Sequence, residues 1–269
     1  MRIRRIAVFI DGAFFLKRLP KIAEPKFCSS PEAVAESARI LCKRHVQRLT
    51  GEDARSRKSR WLDHVYRIFY YDAEPYDGVS HHPLLNKRIE FARTPEAAFC
   101  RALFAALRRK RKFALRLGKV RKDSDWRFSD RLTKPLLKTR EWLHLLEAPL
   151  MEGVDAPLRT SLSEDDRRAL SRPIETWRNL EDRDLLIGLR QKGVDMRLGL
   201  DISTITLKRQ ADTLVLVTGD SDFVPAAKIA RREGAEVVLD PLGQSVDDDL
   251  EEHVDGVYSV LKPSAAGHP

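Results

Sequence analysis

Five short runs in this chain are apolar at nearly every position rather than at alternate ones: residues 6–10, 65–71, 113–117, 214–218 and 237–239. An unbroken apolar run of strand length reads as a β-strand covered on both faces. Longer stretches between them repeat their apolar residues at helical spacing. Residues 31–49 place Val34, Ala38, Leu41 and Val46 on one side, and residues 95–109 do the same with Phe99, Ala102, Leu103 and Ala106. Residues 198–210 (Leu198, Ile202, Ile205, Leu207) and 223–232 (Val224, Ala227, Ala230) complete the set. Strands alternating with helices predict an α/β fold, with a central mostly parallel sheet flanked by helices in three layers.

One stretch breaks this rhythm. Residues 123–180 are rich in charge and carry Trp126, Trp142 and Trp177 among Pro135, Pro149, Pro157 and Pro173. They read as a variable insertion or lid within one domain spanning 1–261. Ser163, with Asp166 three residues on, has the spacing of a capping box at a helix start. Residues 262–269 read as a disordered tail.

Composition narrows the function. The chain has 269 residues, a formal net charge of +9 and a pI near 9.6. That balance favours a polyanionic partner, nucleic acid first. The cysteines are Cys28, Cys42 and Cys100, an odd count with no C-x-x-C pair, which argues against a disulfide framework or a cysteine zinc site. No apolar run approaches the ~20 residues that span a bilayer. A cytoplasmic protein with no membrane partner is the expectation, and its oligomeric state is unreadable.

Aspartates stand where such a sheet binds its ligands, just past the carboxyl ends of strands. Asp11 follows the first run. Asp220 and Asp222 follow the fourth, in Thr218-Gly-Asp-Ser-Asp-Phe223. The plain structural alternative is capping and turn chemistry: Asp222 as a helix N-cap, Asp11 as a turn residue. Three carboxylates on one edge repel unless a cation neutralises them, and hard oxygen ligands suit Mg²⁺ or Mn²⁺. Asp195, after Lys192-Gly-Val, sits at a helix start where it can cap or ligate. Asp201, six residues on, can face the site or hold a buried hydrogen bond.

Three segments together resemble the bacterial NYN-domain proteins of the LabA-like branch: Ile10-Asp-Gly, Gln191-Lys-Gly-Val-Asp-Met-Arg-Leu-Gly-Leu-Asp201 and Val217-Thr-Gly-Asp-Ser-Asp-Phe-Val-Pro225. The likeness covers roughly residues 3–20 and 113–258. It implies a PIN-like fold and Mg²⁺- or Mn²⁺-dependent cleavage of RNA, single-stranded by preference and endonucleolytic, with DNA as a further substrate class. The implied catalytic residues are Asp11, Asp195, Asp220 and Asp222, and the implied metal ligands are these four with Asp201. Many relatives place Asn two positions after the first aspartate; Ala13 stands there in this chain.

In the reaction so implied, a divalent cation lowers the pKa of bound water and offsets charge on the phosphate. Ser221 and Thr218 are expected to hydrogen-bond the phosphate or the carboxylates. The basic run Arg108, Arg109, Lys110, Arg111 and Lys112 is expected to contact RNA phosphates, although basic residues also favour a helix C-terminus unaided. Phe113 and Trp126 are nearby rings on which bases could stack. His81 and His82 read as part of a surface loop. Phosphatase, Toprim and dinucleotide-binding readings each lack a needed residue: Ala13 replaces a second acid, Asp11 replaces a glutamate, and Gly12 stands without a glycine-rich partner set. The alternative function is a non-catalytic RNA-binding or regulatory adaptor on the same fold.

Overall fold

The computed structural model describes residues 4–52, 59–142 and 164–261. The chain divides into two compact units. The first comprises Met1–Gly78, Phe91–Arg121 and Gln191–Pro269; the second comprises Val79–Glu90 and Lys122–Arg190.

The predicted strands form. They are β1 (Ile6–Asp11), β2 (Val65–Glu74), β5 (Phe113–Phe128), β7 (Thr213–Val217) and β8 (Glu236–Leu239). With β6 (Leu185–Lys192) and β9 (Gly256–Val257) they make a seven-stranded sheet in the order β6-β5-β2-β1-β7-β8-β9. The pairs β1–β2, β1–β7, β2–β5, β7–β8 and β8–β9 are all parallel. The architecture is a mostly parallel α/β sheet flanked by helices, consistent with a PIN-like fold.

The central strands are buried on both faces, and their side chains alternate between two cores. Ile6, Val8 and Ile10 of β1 join Ile68 and Tyr70 of β2 in one core. Three helices cover it: α1 (Gly12–Ile22), α2 (Pro31–Thr50) and α4 (Pro95–Arg108). Ala7 and Phe9 join Phe69, Tyr71 and Leu216 in the other. That core lies under α7 (Val194–Leu207) and α8 (Val224–Arg232). This period-two split explains why the runs show no polar face.

Helix starts follow their capping chemistry. Ser30 and Thr94 accept from backbone N–H groups at the heads of α2 and α4, each ahead of a proline at the first helical turn. The short α3 (Trp61–His64) leads into β2. Helix α1 is set directly onto the sheet. A Cβ on Gly12 would lie 2.6 Å from both the Tyr70 ring and the Tyr71 carbonyl, so only glycine fits. Gly193 takes φ 78° at the head of α7, a conformation that favours glycine.

Within the second unit, β3 (Val79–His82) and β4 (Lys87–Glu90) pair as an antiparallel hairpin. This corrects the expectation of a surface loop around the two histidines. His82 is buried, accepts from Leu85 N and packs edge-on against Trp126. The unit also holds α5 (Asp130–Leu137) and α6 (Glu164–Arg178), with Arg131 paired to the buried Asp184. Described residues of the 123–180 stretch fall in this unit. The capping serine, Ser163, and the tail at 262–269 lie outside the described residues. In the first unit, α9 (Asp248–Glu252) follows β8.

Candidate metal centre

Parallel strands put their carboxyl ends on one edge, and two of them meet aspartates there: β1 ends in Asp11 and β7 is followed by the turn with Asp220 and Asp222. Asp11 is the last residue of β1 and also the N-cap of α1, where its Oδ1 accepts from Phe14 N at 3.0 Å. The structural alternative read for Asp11 is turn chemistry; its local role in the structure is the helix cap. It occupies one carboxylate oxygen.

The other oxygen is held from β7. Thr218, buried just past that strand, donates its hydroxyl to Asp11 Oδ2 at 3.4 Å. The same hydroxyl accepts from Asp220 N at 3.2 Å. One threonine thus ties the first aspartate to the backbone of the turn after β7. Asp220 in turn accepts from Asp222 N at 3.0 Å, which folds residues 221–223 into a tight helical turn. Asp222 does not cap α8: the N-cap position is Phe223, with no side-chain bond. Its carboxylate is exposed, as is Ser221.

Asp195 enters from the first turn of α7 and is exposed. Each of the four aspartates acts electrostatically on at least one other, although among the described residues no three of them bring carboxylate oxygens within 4.8 Å of one another. The carboxyl of Asp11 is raised above its ordinary value, first by burial and then by the charges of Asp195 and Asp220, against the Phe14 N–H and the Thr218 hydroxyl. That of Asp195 is raised by burial, then by Asp220 and Asp222. Mutual repulsion of this kind is what a cation relieves. The donor set is oxygen only, which fits Mg²⁺ or Mn²⁺ and not a soft metal.

Asp201 has other work. Its Oδ2 accepts from Tyr71 Oη at 2.9 Å and from Arg116 Nε at 2.8 Å, tying α7 to β2 and β5. The basic run lies at the other end of the sheet. It follows α4 and precedes Phe113, which pairs with Ile68 near the start of β2, whereas Asp11 pairs with Tyr71. Lys110 bonds Glu36 at 2.6 Å, and Lys112 bonds the Val65 carbonyl at 2.5 Å, so two of the five residues hold the turn. Phe113 shares that amino edge, and Trp126 belongs to the second unit.

A residue absent from the sequence reading stands on the aspartate edge. Asp72, near the end of β2, is 6% exposed. Burial pushes its carboxyl up to about 6, opposed by the Ala73 N–H and supported by the charge of Asp11. The strand-end rule that found Asp11 could have found it, one residue past the apolar run. Elsewhere, ligand atoms of Asp249, Glu252 and His253 lie within 4.8 Å of one another on and beside α9. Asp249 lies in the first turn of that helix, Glu252 is its last residue and His253 its C-cap, and exposed acidic groups of this kind are common without an ion.

Comparison with known families bears on this edge directly. Residues 168–260 match the NYN domain. The NYN domain belongs to the PIN-like nuclease superfamily, whose members are generally nucleases that use divalent metals. The match includes the Asp195 helix and the Asp220–Asp222 turn, while β1 with Asp11 precedes it. No curated protein and no solved structure matches the chain. No described helix is long and apolar enough to cross a membrane.

Proposed function

We propose that this NYN-domain protein is a Mg²⁺- or Mn²⁺-dependent ribonuclease that hydrolyses phosphodiester bonds within single-stranded RNA. The observation that carries the reading is the shared carboxylate edge. Asp11 and Asp220 are joined through one threonine hydroxyl, and Asp195 stands close enough to raise the Asp11 carboxyl. The net charge of +9 supports a polyanionic substrate.

Asp11, Asp195, Asp220 and Asp222 would hold the cation. When bound, it would lower the pKa of attacking water and offset charge on the phosphate. The chain's own groups do the rest. Thr218 fixes the Asp11 carboxylate and the turn that carries Asp220, so both meet the phosphate preoriented. The exposed Ser221 hydroxyl donates to a non-bridging phosphate oxygen. The exposed carboxylate of Asp222, committed to no cap, would complete the cation's shell or orient its bound water. Asp201, held by Tyr71 and Arg116, ties α7 to the sheet.

The test is incubation of purified protein with labelled RNA and DNA in Mn²⁺ or in EDTA, beside Asp220→Asn. Cleavage of RNA that needs Mn²⁺ and disappears in the variant is the expected result. Cleavage that survives Asp220→Asn would overturn the site. RNA bound but never cleaved would favour the adaptor.

A further inference from the structure

Asp72 is a buried acid. Its Oδ1 accepts from Ala73 N at 2.7 Å and from Gln191 Nε2 at 3.5 Å. Its Oδ2 is buried and, among the described residues, has no hydrogen-bond partner. Two residues earlier on the same strand face, Tyr70 is fully buried and its hydroxyl is also without a partner among the described residues. The Tyr70 hydroxyl feels the charges of both Asp72 and Asp11. Two orphaned polar atoms and a strand-end aspartate thus occupy one region behind the carboxylate edge, beneath Gly12.

This arrangement opposes folding. A buried carboxylate without a counter-charge is costly, and a second carboxylate nearby adds to the cost. Replacing it by a neutral isostere would relieve both effects. Groups of this kind concentrate where function needs the charge. The demand on this edge is attraction of a divalent cation.

We propose that Asp72 is a positioning residue of the carboxylate site: seated behind Asp11, it tightens the hold of that site on a divalent cation while destabilising the cation-free fold. Its oxygens are too enclosed for it to serve as an open ligand, so it acts by charge and through its neighbours. The proposal rests on the metal-dependent reading above and adds a fifth carboxylate to it.

The experiment measures two quantities on the full chain, Mn²⁺ affinity by calorimetry and melting temperature in EDTA. Asp72→Asn keeps the shape and removes the charge; Asp72→Ser is a smaller second variant, and the exposed Asp63→Asn is the charge control. Asp72→Asn is expected to melt higher in EDTA and to bind Mn²⁺ about tenfold more weakly, the effect of roughly one pKa unit of lost interaction. The control stays within twofold of the parent. A folded Asp72 variant with parental Mn²⁺ affinity overturns the role of Asp72 and leaves the metal site standing. Parent protein that shows no saturable Mn²⁺ binding overturns the metal reading itself. Failure of both variants to fold in EDTA marks Asp72 as a structural anchor and overturns the proposal.

Discussion

Arg116 donates its Nε to Asp201 Oδ2 at 2.8 Å, a bond that joins β5 to the middle of α7. The Tyr71 hydroxyl shares the same oxygen. With one carboxylate oxygen so committed, Asp201 is expected to act on stability more than on the cation. Asp201→Ala should lower unfolding free energy by about 2 kcal/mol, the usual worth of charged hydrogen bonds in a partly buried setting. Urea denaturation checks this. Calorimetry should show Mn²⁺ affinity within twofold of the parent.

Thr218 offers a cleaner separation of geometry from charge. Thr218→Val keeps volume near constant and removes the hydroxyl between Asp11 and Asp220 N. Stability should fall by about 1 kcal/mol. Nuclease turnover should fall by more than tenfold, because both carboxylates lose their fixed orientation. Equal turnover in the folded variant would remove Thr218 from the site.

The buried pair His45–Asp240 is a prediction about the fold alone. Its atoms are 2.7 Å apart, and both side chains are fully enclosed. Asp240 also accepts from Leu242 N and Val260 N, so it fastens α2 to the segment after β8 and to the C-terminal end of the described chain. Asp240→Ala should cost about 3–5 kcal/mol, since it strands a buried partner and two backbone donors. Chemical denaturation provides the measurement.

The elements that could be read from sequence were those whose burial is symmetric or whose caps are local. Residues 65–71 and 214–218 carry strand information in every position, and residues 31–49 and 95–109 carry an apolar stripe at helical spacing after Ser30-Pro or Thr94-Pro. Helix α1 was not read, because its cap is Asp11 itself and the chain turns from strand to helix without a linker. The β3–β4 hairpin was not read either. Residues 79–90 lack a continuous apolar run, and His82 gains its burial from Trp126 and other distant residues. For the site, strand ends pointed to Asp11, Asp220 and Asp222, while Asp195 needed the family motif. Nothing in Asp201's spacing reveals Tyr71 and Arg116 as its donors. The basic run at 108–112 reads as a phosphate patch in one dimension, but strand direction sets it at the opposite end of the sheet.

That separation makes its own prediction. Strands rise about 3.3 Å per residue, so the four positions from Ile68 to Asp72 put the basic run at least ~13 Å from the carboxylates along the strands. Converting Arg108, Arg109 and Arg111 to alanine should weaken binding of long RNA and lower the salt slope by up to about 2, for three phosphate contacts on a single strand. Cleavage of a very short oligonucleotide should be unchanged. Filter binding across a salt series, beside cleavage rates, tests both halves.

Acidity should act on the cation-free protein in an uncommon direction. The Asp72 carboxyl is raised to about 6 in the folded state. A raised acid binds its proton more tightly when folded, so folding gains stability as pH falls through the folded value towards the unfolded one. From pH 7 to pH 5 the Asp72 share is a gain of about 1 kcal/mol. Asp11 and Asp195, also raised, add to it in the same sense. Melting curves in EDTA should show this gain reduced in Asp72→Asn. Cation affinity should move the opposite way and weaken as pH falls.

Strand β1 precedes β2 and β7 in the chain and lies between them in the finished sheet. Its Asp11 waits for Thr218, 207 residues downstream, before its second oxygen is held. Synthesis of the chain therefore carries a built-in delay. In the order of the chain the first aspartate comes long before the turn that carries Asp220 and Asp222. Until that turn is made, the carboxylate edge lacks Asp220 and Asp222 and cannot assemble.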